Sequence, residues 1–472
     1  MTKGFGRLKA ACYTTNISMS VITNLAPILF LTFREQYGIS YSLLGLLVLI
    51  NFFTQLSVDL VFSFFSHKFN IPLAVKLTPV IAFAGLLLFS AAPLLFPSNV
   101  YLGLVLGTVV FSASGGFGEV LISPVIAAIP AEDPERELSK LHSIYAWGVV
   151  FFVIAATLLL LLLGHGNWQI VSLIFAIVPL IAATLFSGAK IPEMETPARV
   201  SGVLQLFRDR GLWLCVLAIF LGGASECIMT QWSSGYLEMA LGIPKLWGDI
   251  FGVAIFSAML GLGRSLYGKH GKRVEKILFW GAVGACACYL TAALCPIPFV
   301  GLFACAFTGL CVSMLWPGSL IVGSERFPAS GVFIFAMMAA GGDLGASVGP
   351  QLLGIVADAV ALTPFAAELG STLSLTAEQI GMKAGMLVGA LFPLLAIFVY
   401  LKLHRNAKKK IQLTPKRYEK KRGFHRAFHF YIVASVSTLP SFTRILRSSI
   451  GASKSASGQS ESGSITAVAG IS

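Results

Sequence analysis

Charge is scarce in this chain. Only 12% of its 472 residues are charged while 56% are hydrophobic, a balance that excludes a soluble globular domain. Clustered chemistry is missing too. No G-x-x-x-x-G-K-[ST] phosphate loop occurs, which argues against an ATP-driven pump. The seven histidines are scattered or fall in the C-terminal tail, so no grouped nucleophile, base or metal ligands suggest a membrane enzyme. The eight cysteines lie in apolar segments. Cys286 and Cys288, two apart, point to different helix faces, so neither a disulfide framework nor a metal site is indicated. They read as small packing residues. No cofactor and no metal are expected.

What the chain does have is apolar length. Twelve stretches can each cross roughly 30 Å of hydrocarbon: 11–33, 40–66, 72–95, 100–129, 140–164, 168–189, 211–240, 247–268, 276–296, 299–324, 329–360 and 382–403. The fold class is therefore an all-α membrane protein of twelve transmembrane helices. The first stretch is too long and too polar for the core of a cleaved signal peptide, so it is kept as a helix.

Lysine and arginine gather on one side of these spans: Lys3, Arg7, Lys9, Lys68, Lys76, Arg136, Lys140, Lys190, Arg199, Arg208, Arg210, Lys269, Lys272, Arg273, Lys276 and Arg326. The other side has Arg34, Lys245 and Lys383. Both termini are thus expected in the cytoplasm of a multi-pass cell-membrane protein. The net charge of +13 has the same origin, with a basic tail (Lys408, Lys409, Lys410, Lys416, Arg417, Lys420, Lys421, Arg422) suited to an anionic inner leaflet rather than to nucleic acid. The polar connection "KIPEMETPARVSGVLQLFRDRG" divides the chain into a six-helix half at 1–191, a linker at 192–210 and a second half at 211–404. Residues 405–472 form a basic and then Ser/Gly-rich tail that reads as disordered.

Acidic residues show a rhythm. Asp59, Glu119, Glu226, Asp249 and Asp343 fall in spans two, four, seven, eight and eleven, while spans three, six, nine and twelve contain none. Three-helix repeats predict this if every third helix is peripheral and the rest surround a cavity. Asp249, and in part Asp59, also read as ordinary helix-end charges. Polar stripes at helical spacing mark candidate cavity walls: Asn16, Ser20 and Asn24 on span one, Asn51, Gln55 and Asp59 on span two, and Glu226, Thr230 and Ser233 or Ser234 on span seven, with Gln231 and Trp232 alongside. Taken singly, such residues are as often interhelical hydrogen bonds.

The segments "GEVLISP" at 118–124 and "LHSIYAWG" at 141–148 resemble helices four and five of the fucose permease type of sugar:proton symporter, a branch of the major facilitator superfamily. "ASECIMTQWSSGYLE" at 224–238, "GLGR" at 261–264 and "WPGSLIVGSERFP" leading into "GGDLGASVGP" resemble spans seven, eight, ten and eleven of bacterial transporters in that branch. The resemblance spans all twelve helices and stops before the tail. It implies two pseudo-symmetric halves, alternating access and a monomer that moves a sugar-like solute, with H+ as coupling ion. Two positions depart from the type. Thr23 stands four residues before Pro27 where the permease has aspartate, and the loop "FFSHKFNIP" lacks its usual aspartate. The counterpart after span eight, "GRSLYGKHGKR", is nearer the type.

Counting back from Ile129 at 1.5 Å per residue puts Glu119 about 15 Å deep. A carboxyl there can take up and release a proton as the cavity opens alternately to each side. Glu119 and Glu226 are therefore the proton-coupling candidates. Arg264 is expected to pair with Asp343 as a gate or scaffold, since an arginine deep in a bundle needs a carboxylate. Trp147, Trp232 and Trp316 are candidate stacking platforms for a sugar, and His142 reads as structural. The competing functional readings are a drug or metabolite exporter working by proton antiport, and a non-transporting membrane sensor.

Overall fold

The computed structural model describes residues 5–65, 68–130, 134–192, 207–270, 273–327 and 332–413. The linker residues 193–206 and the tail from 414 lie outside them.

Twelve rods run back and forth. α1 (Gly6–Ile28) continues through a 45° bend into Phe30–Tyr37, and is followed by α2 (Tyr41–Phe65), α3 (Ile71–Ser90), α4 (Val100–Ala128), α5 (Pro134–Leu163) and α6 (Trp168–Ser187). After the linker come α7 (Arg210–Leu241) and α8, which is built from Lys245–Asp249, a π-helical turn Ile250–Ile255 and Phe256–His270. α9 (Val274–Leu294), α10 (Pro298–Val312 with Leu315–Arg326), α11 (Val332–Ala361) and α12 (Ala377–Leu413) complete the set. Ten of these rods are long and apolar enough to span a membrane unbroken, and the bent α1 makes eleven. In α5 the apolar run is the shorter Trp147–Leu163, because its first turns carry Glu137 and Lys140. The described residues are thus all-helical, consistent with the twelve-span reading.

Local chemistry sets the ends. Pro27 has no N–H to give the carbonyl of Thr23, and the helix bends two residues later. Asn70, Asn99 and Asp209 accept backbone N–H groups from the first turns of α3, α4 and α7. Gly38 and Gly242 end the first and seventh rods at φ +63° and +66°, where a side chain would be strained. Around the outside, Phe151, Trp280 and Phe398 are more than half exposed, as suits side chains solvated by hydrocarbon rather than water.

Helices α1–α6 pack chiefly on one another, and so do α7–α12. Three pairings cross between the groups: α2 against α11, α1 against α7, and α5 against α8. α3, α6, α9 and α12 pack within their own half, apart from Glu378 at the tip of α12, which pairs with Arg34. Every third helix is therefore peripheral, as the spacing of acidic residues predicts.

Small residues allow the closest crossings. A Cβ on Gly345 of α11 would stand 2.0 Å from the carbonyl oxygen of Phe220 on α7, whereas one on Gly261 of α8 would meet nothing within 4 Å. Gly345→Ala should therefore lower stability by about 1–3 kcal/mol through forced separation of the helices. Gly261→Ala should leave it within about 1 kcal/mol of the parent or raise it. Melting of the two purified variants in one detergent compares them, and equal midpoints would contradict this packing.

The halves are not joined evenly along their length. We name the end where α1 turns into α2 the distal face, and the opposite end the basal face. Among the described residues, hydrogen bonds between halves gather at the distal face. There Asp358 of α11 accepts the backbone N–H groups of Tyr41 and Ser42 (3.1 and 2.6 Å) and the Ser42 hydroxyl, and Gln351 donates to the Ser42 carbonyl. Arg34, paired with Glu378, also lies 4.0 Å over the Tyr41 ring. Toward the basal face the first half keeps a separate apolar core of its own, including Leu8, Phe62, Val75, Leu121, Ile126 and Phe186. Among the described residues, every hydrogen bond and ion pair between the halves lies at the distal face.

Candidate functional site

Glu119 is solvent-exposed although it lies in the middle third of α4, between the buried Gly118 and the buried Leu121. Among the described residues it has no hydrogen-bond or ion-pair partner. An accessible carboxyl at that depth, with charged groups of both halves within electrostatic range, marks a gap between the halves on the basal side. It interacts electrostatically with Asp59 of α2, Asp343 of α11 and Tyr145 of α5. The Tyr145 hydroxyl is hydrogen-bonded to Thr23, the residue at the permease-type aspartate position, and reaches electrostatically to Glu226 and Cys227 of the other half. Side chains from both halves therefore converge around Glu119.

Across from it, Arg264 is held at three points. Its Nη2 lies 3.3 and 3.4 Å from the two carboxylate oxygens of Glu226, and its Nε donates to the Ser313 carbonyl at 3.1 Å. The expected pair with Asp343 is thus corrected: Arg264 belongs to Glu226. Glu226 on α7 faces α8, and the break in α10 between its two segments brings the Ser313 carbonyl within reach. Asp343 is buried at 7% exposure; its carboxylate has no ion pair or hydrogen bond among the described residues, and it interacts electrostatically with Glu119 and Asp59. Both Glu226 and Asp343 line the same central region, but in exchanged roles.

Several stripe residues turn out to join helices rather than line the cleft. Asn51 Oδ1 accepts from Gln55 (2.9 Å) and from the Ser112 hydroxyl (2.6 Å) in a buried knot between α2 and α4. Asn16 donates to the Leu141 carbonyl of α5 at 2.7 Å, and Asn24 donates back to Ser20. The physical reason is shared: each amide finds its partners within one half, where helices pack too closely to leave a wet wall. Thr230 likewise donates to the Glu226 carbonyl. Gln231 is buried, and its Oε1 accepts no hydrogen bond.

The tryptophans separate. Trp232 is buried in the distal closure, where its Nε1 donates to the Pro350 carbonyl and its ring packs 4.9 Å from Phe30 and 6.0 Å from Tyr41. That removes it as a stacking platform in this state. Trp147 is exposed at 53%. Trp316 remains: half-buried, its ring lies against Gly342 and Gly223, where a Cβ would come within 2.4 and 2.9 Å of it. Its ring thus packs on α11 at the residue that precedes Asp343 in the chain. The side chain of His142 lies outside the described residues.

Sequence reasoning underrated Asp249. It has no exposed surface, and its carboxylate takes the Ser234 hydroxyl, the Thr157 hydroxyl (2.6 Å) and the Lys245 ammonium (3.3 Å). Lys245 also donates to the Ile28 carbonyl at 2.8 Å. Thr157 and Ile28 belong to the first half and the other three to the second, so this cluster latches the distal face. The signal available in the sequence was Lys245 four residues before Asp249, a helical ion-pair spacing.

The family model described as Major Facilitator Superfamily matches residues 11–350. No curated protein sequence matches the chain. Among solved structures, a bacterial homolog of the human lysosomal transporter Spinster, in an inward-facing and occupied conformation, superposes with TM-score 0.65 at 16% identity, covering 86% of this chain and 98% of that one. The E. coli fucose:proton symporter FucP gives 0.54 at 16% identity, over 85% and 99%. The nucleoside transporter NupG gives 0.62 at 14%, over 84% and 98%.

Proposed function

Since the chain belongs to the Major Facilitator Superfamily, we propose that it is a secondary active transporter carrying a small polar solute of sugar size across the cell membrane by alternating access, coupled to protons through Glu119. Both termini lie in the cytoplasm on this reading. The basal face, toward which the flanking lysines and arginines of the spans fall, is then cytoplasmic, and the state described is open inward.

The observation that carries the proposal is Glu119 itself: an exposed, unpaired carboxyl on the cleft wall, within electrostatic range of Asp343 in the opposite half. Such a group can exchange its proton with whichever side the cleft faces, and its charge acts on the helix that must approach when the cleft closes. The Glu226–Arg264 pair across the cleft, with Ser313 behind it, fixes the second wall. Similarity in fold to the solved structures of a fucose:proton and a D-xylose-proton symporter supports both the solute size and the coupling ion.

Purified protein in proteoliposomes, given a panel of labelled sugars with and without an inward proton gradient, tests the reading. Accumulation that requires the gradient and collapses with a protonophore is the expected outcome. Gradient-independent equilibration would leave transport standing and remove the coupling.

A further inference from the structure

Resting on that transport reading, we infer that the solute carries a positive charge. Five ion pairs occur among the described residues, and one of them, Glu226–Arg264, lies at the cleft. It leaves Glu119, Asp59 and Asp343, contributed by α4, α2 and α11, without a cation. Asp343 is more than nine-tenths buried, its carboxylate accepts no hydrogen bond among the described residues, and it lies within electrostatic range of the other two carboxylates, which belong to the opposite half. The Oδ1 of Asp59 is also buried without a donor.

These two groups show that the surplus is not a solvated face. A buried carboxylate without a donor is costly, and in a bundle it marks the position of a group that arrives from outside. One coupling proton on Glu119 supplies one donor and cancels one charge; two acidic groups on different halves still need a partner. The hydroxyls of a neutral sugar supply donors but cancel no charge, whereas an ammonium does both. The ligand class is a small hydroxylated amine, such as an amino sugar, bound between α2 and α11 with its ammonium toward Asp343.

Matched pairs differing in charge make the test: labelled glucosamine against glucose and N-acetylglucosamine, galactosamine against galactose, and putrescine against 1,4-butanediol. Each is offered to the full-length protein in proteoliposomes. In at least one pair the ammonium member should move at least tenfold faster than its neutral partner. Asp343→Asn should weaken that preference at least tenfold without lowering the melting temperature, because the carboxylate has no partner among the described residues to lose and its burial is itself costly. Preference for the neutral members, equal handling of both, or an Asp343→Asn variant with its preference intact overturns the cationic class and leaves transport standing. Movement of no member of any pair overturns the transport reading and this inference together.

Discussion

Thr157→Val should swing the protein toward a state open at the distal face. The substitution keeps the shape of the side chain but removes the hydroxyl that reaches Asp249 across the two halves at 2.6 Å. Hydrogen bonds to charged groups contribute about 1.5–3 kcal/mol, so the closed-to-open ratio at this face should fall roughly 10- to 100-fold. Ser234 and Lys245 remain with Asp249 in their own half, so the buried carboxylate is not stranded. Lys245→Met, which also removes the bond to Ile28, should act in the same direction but would leave Asp249 without its cation. Spin labels at the exposed Ser98 and Ser371, one on each half at the distal end, would report the change as a longer distance population. Unchanged distances in Thr157→Val would mean that this cluster packs the helices without setting their equilibrium.

The second large effect belongs to Arg264 and Glu226. Both side chains are less than one-third exposed, and removal of one partner strands the other charge. Breaking a buried pair costs about 3–5 kcal/mol; with this degree of exposure the lower end applies, roughly a hundredfold in transport rate. Arg264→Gln combined with Glu226→Gln should recover at least tenfold over either single variant, because no unpaired charge remains. Arg264→Gln combined with Asp343→Asn should recover nothing. A double variant as impaired as the product of the singles would argue that the two residues act independently. Initial uptake rates, normalised to the protein reconstituted, measure this.

The sequence made the architecture readable because the membrane imposes a simple constraint: each span must be long and apolar, and acids survive only where helices face one another or water. That constraint yields the peripheral placement of spans three, six, nine and twelve and singles out Glu119. It says nothing about which polar group faces which. Asn51 and Gln55 share a helix face with Asp59, yet close crossing of α2 with α4 at Gly115 and Gly116 seals the first two into a hydrogen-bonded knot. Arg264 was paired with the wrong acid because Glu226 and Asp343 lie at similar depth on neighbouring helices, and rotation about the axis of α8 decides between them. Asp249 read as a helix-end charge because its partners Thr157 and Ile28 lie far away in sequence and meet it only when the distal face is shut. Trp232 was misplaced for the same reason: in the closed face its ring is packing, not wall.

The central claim is that Glu119 couples the movement of solute to the movement of a proton. Glu119→Gln keeps the shape of the side chain and removes the titratable group, and since Glu119 bonds to no described residue the fold loses no contact. In proteoliposomes the variant should lose accumulation of a transported solute against its gradient while exchange of labelled for unlabelled solute continues at close to the parental rate. Gradient-driven accumulation that survives in Glu119→Gln, with its dependence on external pH intact, would contradict the account.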